Sequence, residues 1–417
     1  MMVANCKINL SGGMQMNAVG IDVSKGKSMV VIMRPFGEVV ASPFEVTHTD
    51  SELSKLANSL KSLNGETKVV MECTGAYHQP IAYALHEAGL FVSTVHAQLI
   101  HDYGNNTIRR VKTDKADAVK IANYALSNWL ELPRYIPEDD IRLMLKAYSR
   151  QYTKYNKLKT ILKNNFIALT DHTFPGVNEL FTSPPRKSDG HEKWMDFAFK
   201  FWHCQCVCGL SPKAFAARYQ KWCKKSGYRF NKDKADDIYA SACGHVCVVP
   251  MNDSTKQLIT LAINQINAVA ESLAVVSREM KRLAEQLPEY PVVSAFYGLG
   301  DILGPQIIAE VGDIYRFRNK GSLVCFAGLE APPYQSGTFF SADRTISKKG
   351  SPHLRKALFQ VMDCYIKTSP INEPVYKFLD RKRAEGKHYY SYMTAGSAKF
   401  LRIYYARVKE FLDKLDD

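Results

Sequence analysis

Polar and apolar positions follow no period in residues 1–17, a stretch rich in Gly, Met and Asn. It reads as a loose leader, with Met16 a more natural start. From residue 18 the pattern sharpens. AVGIDVSK, SMVVIMRP and GEVVASPFEV are short β-rich runs separated by turn residues, which predicts a meander of antiparallel strands. A helix is expected over residues 51–63, then a buried strand in TKVVMEC and an amphipathic helix in YHQPIAYALHEAG, closed by Gly89. LFVSTVH reads as a further strand, and TDKADAVKIANYAL as a helix with Thr113 as N-cap.

Residues 141–168 form a long helical stretch without an acidic residue, in which Arg142, Lys146, Arg150 and Lys154 recur every four positions as one stripe. Tyr148, Tyr152 and Tyr155 are interleaved. Like charges at this spacing repel, so a helix that tracks phosphates is a better reading than a merely solvated face. Residues 255–287 carry apolar side chains at three and four spacing, as a packed or coiled-coil helix would, and stop at Pro288. This is the expected dimerisation element.

Between them, residues 171–254 show no period strong enough to assign and read as an insertion rich in Cys, Trp and Lys. Trp194, Trp202 and Trp222 are expected in a core rather than as base-stacking platforms. His203, Cys204, Cys206, Cys208, Cys223, Cys243, His245 and Cys247 could bind Zn²⁺, but C-x-C-x-C and C-x-H-x-C are not the paired C-x-x-C knuckles of common structural sites. Buried or idle thiols are the plainer expectation. The expected organisation is therefore a leader (1–17), an α/β domain (18–140), a basic helix (141–170), an insertion (171–254), a coiled-coil helix (255–290) and a mainly helical C-terminal domain (291–417).

Charge adds a division of labour. The net charge of +14 suits a polyanionic partner, because Lys and Arg displace counterions from phosphate. Residues 18–127 nevertheless hold 11 Lys and Arg against 11 Asp and Glu, so the excess lies downstream: a catalytic front and a binding remainder. The composition, 46% hydrophobic, excludes wholesale disorder. Ten cysteines without a secretory signal point to reduced thiols, and with no uninterrupted apolar run of membrane-spanning length a cytoplasmic protein is expected, nucleoid-associated when acting.

The chemistry is suggested by acids in unexpected places. In VGIDVSK, Asp22 sits inside an apolar strand, where an unpaired carboxylate costs several kcal/mol unless a cation or hydrogen bonds compensate it. Glu72 ends a second apolar strand in VVMECTG, and Asp114 and Asp117 share one side of a helix. Four such acids can hold two Mg²⁺ or Mn²⁺ ions, one activating an attacking oxygen and one stabilising the leaving oxygen of a phosphodiester.

GIDVSK, MECTGAYH and RRVKTDKADA resemble the N-terminal signature of the DEDD-type insertion-sequence transposases, family one-hundred-and-ten in that nomenclature. Their N-terminal domain is similar to the Holliday-junction resolvase RuvC, and three strands followed by alternating helix and strand is the order of ribonuclease-H-like nucleases. The second half, GLGDILGPQIIAEVGDIYRF, LVCFAGLEAPPYQSGTF and ISKKGSPHLRKALFQ, resembles the same family. The resemblance implies a DNA recombinase in which Ser336 is the nucleophile joined covalently to DNA, with Ser341 and Ser347 as the alternatives nearby. It also implies a homodimer pairing into a homotetramer, with the serine of one protomer completing the carboxylate site of another, and a structured guide RNA from the element's flank.

From the residues alone, QSG could equally be a turn. GLGDILGPQIIAEVGD resembles a helix-hairpin-helix in which Gly298 and Gly300 let backbone N–H groups meet phosphate. Arg109, Arg110 and Lys112, with Arg344, Lys348, Lys349, His353, Arg355 and Lys356, are expected DNA-backbone contacts. Three rival readings are a resolvase-like nuclease without serine chemistry, a sugar-kinase or actin-like ATPase suggested by GIDVSKGKSMVVI, and a non-catalytic nucleic-acid-binding protein.

Overall fold

The computed structural model describes residues 15–73, 75–103, 113–332, 335–336, 339–340 and 345–416. The chain divides into two units, Met1–Pro137 and Glu138–Asp417. In the first, three strands, β1 (Met16–Ser24), β2 (Lys27–Met33) and β3 (Val39–Thr47), precede α1 (Asp50–Lys61), β4 (Glu66–Cys73), α2 (Gln79–Glu87), β5 (Phe91–His96), a short α3 (Ala97–Tyr103) and α4 (Asp114–Ser127). Sheet order is β3-β2-β1-β4-β5. β2 runs antiparallel to both its neighbours, while β1, β4 and β5 are mutually parallel. This is the α/β, ribonuclease-H-like arrangement expected from the element order.

Strand β1 begins two residues inside the expected leader. Asn17 is fully buried, and its amide donates to Asn64 O (2.9 Å) and Thr67 Oγ1 (3.2 Å), which ties the strand's first residues to β4. Alternate residues then serve two cores. Val19 and Ile21 pack with Leu53, Leu56 and Leu60 of α1 and Ile81 and Leu85 of α2; Ala18 packs on the other face with Ala118, Ile121 and Ala122 of α4.

The second unit is helical: α5 (Asp140–Thr170), α6 (Lys193–Lys200), α7 (Gln205–Cys208), α8 (Pro212–Lys225), α9 (Lys232–Gly244), α10 (Asp253–Ala284), α11 (Tyr290–Ser294), α12 (Leu303–Val311), α13 (Lys320–Phe326), α14 (Pro352–Thr368), α15 (Pro374–Ala384) and α16 (Tyr389–Asp416). Between α13 and α14 lie two-residue strands, β6 (Gln335–Ser336) and β7 (Phe339–Phe340), paired antiparallel. Helices α5 and α10 bridge two cores. Leu145 shares one with Val276 and Met280, and Phe166 shares the other with Ile259 and Ile263, so the helices run antiparallel.

One apolar face of α10 is covered within the chain, by α5 and the cores they share, while Leu258, Leu261 and Val275 of the same helix remain exposed. Its length and composition would also suit a membrane span, but Ile259, Ile263, Ile266 and Met280 are buried in the protein core. The unassigned insertion folds as four short helices, α6–α9, on an aromatic core of Phe197, Phe201, Phe215, Tyr219 and Trp222. Phe197 stacks on Phe201 at 4.7 Å and Tyr219 on Trp222 at 5.6 Å. Trp194, Trp202 and Trp222 are all buried, the core role expected for them. Bulky rings at irregular intervals make a core without a clean helical period, which is why the sequence pattern was silent here.

Candidate active site

Gly20 and Asp22 point to the same face of β1, two residues apart. A Cβ at Gly20 would lie 2.3 Å from Ala118 O and 2.5 Å from Ala122 N, so α4 rests directly on the strand's backbone. With Ala118 and Ala122 opposite Gly20, the first turn of α4 comes beside Asp22. Thr113 caps that turn, accepting from Ala116 N at 3.2 Å, and Asp117 N donates to Thr113 O at 2.9 Å. Asp114 and Asp117 thus sit at a helix N-terminus, where the dipole favours anions.

Glu72 reaches the same place from the neighbouring strand. β1 and β4 are parallel with Gly20 opposite Val70 and Ile21 opposite Met71, so Asp22 and Glu72 stand one step beyond the last pair, level with each other. Val70 belongs to the α4-side core, and Glu72, two residues on, shares its face.

Electrostatics registers the gathering. Burial, then Asp117, Asp114 and Glu72, push the Asp22 carboxyl up to about 6 from its ordinary 3.8. Carboxylates are the donor set a hard divalent cation takes, and the charge of such an ion would reverse what raises Asp22. Among the described residues no three His, Cys, Asp or Glu side chains converge on a point as the ligands of one ion do.

Pattern reading passed over two residues here. Gly20 sets the approach of α4, and its signal is a lone glycine inside an apolar strand. Lys27, which pairs with Glu45 at 2.7 Å, also feels Asp114. Arg109, Arg110 and Lys112 lie outside the described residues.

The basic stripe of α5 is not a uniform open surface. Arg142 is buried and binds Glu289 (2.7 Å) and Asp139 (3.4 Å). Lys146 pairs with Glu138, and Arg150 with the buried Glu310 at 3.2 Å. Lys154 is exposed. The stretch 141–168 has no acid of its own because its counter-charges arrive from elsewhere in the unit, which a four-residue spacing could not show. Arg142 in particular serves the interior and not a phosphate.

Ser336 ends β6, in register with Phe339 across the small hairpin. Tyr334, Gly337, Ser341 and Arg344 lie outside the described residues. Residues 348–355 are tightly held against the end of α13. Lys348 N donates to Gly328 O (3.1 Å), Ser351 N to Phe326 O (2.8 Å), and Arg355 Nη1 to Ala327 O (2.9 Å). Ser351 caps α14 through Leu354 N and donates to Glu310 Oε2 at 2.9 Å. Ser347 accepts from Lys349 N at 3.2 Å. Lys348, Lys349, His353 and Lys356 are exposed, whereas Arg355 is half-buried and holds the turn. His353 and Lys356 line a cavity of about 180 Å³ with Gln306 and Glu310. Residues 290–311 form helix, turn and helix, with Gly298 at φ +79° in the turn and α12 buried from Gly304 to Val311; Gly300 O accepts from Gly304 N at 3.1 Å.

The comparisons agree in both halves. Residues 19–175 match the DEDD-type transposase family of IS110, and residues 291–377 match the transposase family IS116/IS110/IS902. The chain is 26% identical over 152 residues to the insertion element IS110 uncharacterized 43.6 kDa protein of Streptomyces coelicolor, a stretch covering 36% of each. It is 22% identical over 342 residues to the pilin gene-inverting proteins of Moraxella lacunata and Moraxella bovis, covering 82% of this chain and 80% of each relative. A carboxylate cluster on a ribonuclease-H-like sheet, followed by a helical unit that carries the second matched stretch, places the chain in the IS110 family of DEDD transposases, whose members cut and rejoin DNA with the help of divalent metal ions.

Proposed function

We propose that the protein moves its own insertion sequence by metal-assisted DNA strand transfer, with Asp22, Glu72, Asp114 and Asp117 as ligands of two Mg²⁺ or Mn²⁺ ions and Ser336 as the nucleophile. The observation that carries the reading is the placement of Asp22 and Glu72 level on adjacent parallel strands beside the capped first turn of α4, with Asp22 raised to about 6 by burial and by Asp117, Asp114 and Glu72. When bound, the ions would activate the attacking oxygen and stabilise the leaving one. Asp22 and Glu72 supply ligands from rigid adjacent strands, and Asp114 and Asp117 from a capped helix start, so the donor set is held in advance of substrate. The Ser336 hydroxyl loses its proton and forms an Oγ–P bond as a backbone P–O bond of the DNA breaks, leaving DNA attached to protein until a second strand displaces the serine.

The family resemblance supports the serine and, with it, a dimer that pairs into a tetramer, a flank-derived RNA that chooses sequence by base pairing, and action in the cytoplasm. Of the expected backbone contacts, Lys154, Lys348, Lys349 and Lys356 are exposed cations available to DNA, with His353 exposed beside them.

The test incubates wild-type, Asp114→Ala and Ser336→Ala proteins with element-end DNA, flank-derived RNA and Mg²⁺. A covalent protein–DNA adduct in wild type, absent from both variants, is the expected result. Metal-dependent cleavage indifferent to Ser336 would leave a RuvC-like nuclease and overturn the serine mechanism.

A further inference from the structure

We infer that the insertion presents a docking surface for single-stranded DNA, with a base received in a groove beside Phe199 and phosphates tracked by the exposed cations of α8. The segment 176–290 lies outside both family-matched stretches, and neither the carboxylates nor Ser336 belong to it.

Charge is the first observation. Residues 197–232 hold eight Lys and Arg and no Asp or Glu. All eight are exposed, and none forms an ion pair with a described residue; the neighbouring pairs, Arg186–Asp196 and Lys234–Asp237, lie outside this stretch. The cations of α5, by contrast, meet Glu289, Glu138 and Glu310. An uncompensated cluster of one sign repels itself until a polyanion neutralises it.

Helix α8 gives the cluster a direction. Phe215, Tyr219 and Trp222 are buried in the aromatic core, and helical spacing puts Lys213, Lys221 and Lys224 on the opposite, exposed side. Arg218 stands at the edge of that side, over the Phe201 ring at 6.0 Å from its centre.

There the cations reach a groove of about 520 Å³ between α6, α7, α8 and the start of α10. Lys200, Arg218 and Lys256 line it against a single acid, Asp253, so it favours an anion. Its apolar lining is open: Phe199 is 48% and Met251 45% exposed. A ring open to solvent among cations can stack a base while its neighbours hold the flanking phosphates. A base inside a duplex has both faces covered, so only an unpaired strand can use Phe199. DNA is the polyanion that the family cuts and rejoins, and a strand passing from one duplex to another is unpaired on the way. The inference rests on that family activity and not on the metal or serine assignment.

The test uses full-length protein in EDTA, so that binding is read without cutting and whatever the fate of the metal and serine assignments. Anisotropy of a labelled single strand should show Phe199→Ala weakening the complex about tenfold, with duplex affinity unchanged. Lys213→Ala, Lys221→Ala and Lys224→Ala combined should lower the slope of log affinity against log salt by about two. Both variants change exposed side chains and should keep the wild-type Tm. A strand carrying 5-iododeoxyuridine, irradiated on wild-type protein, should cross-link to the peptide containing Phe199, a readout independent of how the variants fold. Unchanged affinity and slope, or cross-links confined to residues outside 197–256, would overturn the surface. Equal loss of duplex binding in Phe199→Ala would refute base stacking, and an RNA of the same sequence held more tightly, and weakened by the same variants, would refute DNA as the occupant.

Discussion

Gly20 and Ala118 pack so closely that a Cβ on the glycine would stand 2.3 Å from the Ala118 carbonyl oxygen. Backbone meets backbone there, which lets α4 lie on β1 and brings Asp114 and Asp117 beside Asp22. The neighbouring atoms belong to main chain and cannot turn aside, so Gly20→Ala must lift the helix. The expected cost is about 1–3 kcal/mol of overpacking, together with loss of strand cleavage. Denaturant unfolding and a cleavage assay on the same preparation check both; a stable, fully active Gly20→Ala would mean that the approach of α4 is not what positions the acids.

The four carboxylates should dominate activity and oppose stability. Asp22→Asn is expected to lower cleavage by about a thousandfold or more, because several kcal/mol of metal-borne stabilisation is lost. In metal-free protein at neutral pH the same change should raise Tm, since it removes a charge that three neighbours repel.

The pH dependence follows from the direction of the shift. Asp22 titrates near 6 in the fold against 3.8 ordinarily, so the folded state holds this proton more tightly than the unfolded chain does. Below 3.8 the group has no effect on stability. Between 3.8 and 6 metal-free protein loses stability as pH rises, and above 6 the loss is complete. The Tm advantage of Asp22→Asn should therefore shrink on acidification through pH 6. Divalent-metal affinity in wild type should fall over the same interval, as calorimetric titrations at several pH values would record.

The α5 stripe should divide by partner. Arg142→Ala leaves Glu289 charged and buried, and a cost of about 3–5 kcal/mol is expected in unfolding, with little change in the salt dependence of DNA binding. Lys154→Ala should leave stability nearly unchanged and lower the slope of log affinity against log salt by about one, if Lys154 neutralises a phosphate. Equal effects of the two variants on that slope would refute the division.

Ser336→Ala should abolish the covalent adduct while DNA affinity, measured by anisotropy, stays within about twofold of wild type. A loss of binding in parallel would assign Ser336 to recognition and not to chemistry.

Local signals made much of this protein legible. Strand alternation and helix capping depend on neighbours within a few residues, so the strands of the first unit, the cap at Thr113 and the unusual placement of Asp22, Glu72, Asp114 and Asp117 on strands and a helix start were legible in linear spacing. A carboxylate inside VGIDVSK is conspicuous because burying charge is costly wherever the chain goes. Tertiary structure decided what spacing cannot encode. The counter-charges of Arg142, Lys146 and Arg150 come from Glu289, Glu138 and Glu310, the last of them 160 residues distant. One face of α10 found its cover on α5, and the aromatic insertion acquired a core without a period. Secondary structure is a local balance of backbone hydrogen bonding and side-chain periodicity; ion pairing and ligation are set by which surfaces the folded chain presses together, and that is a property of the whole.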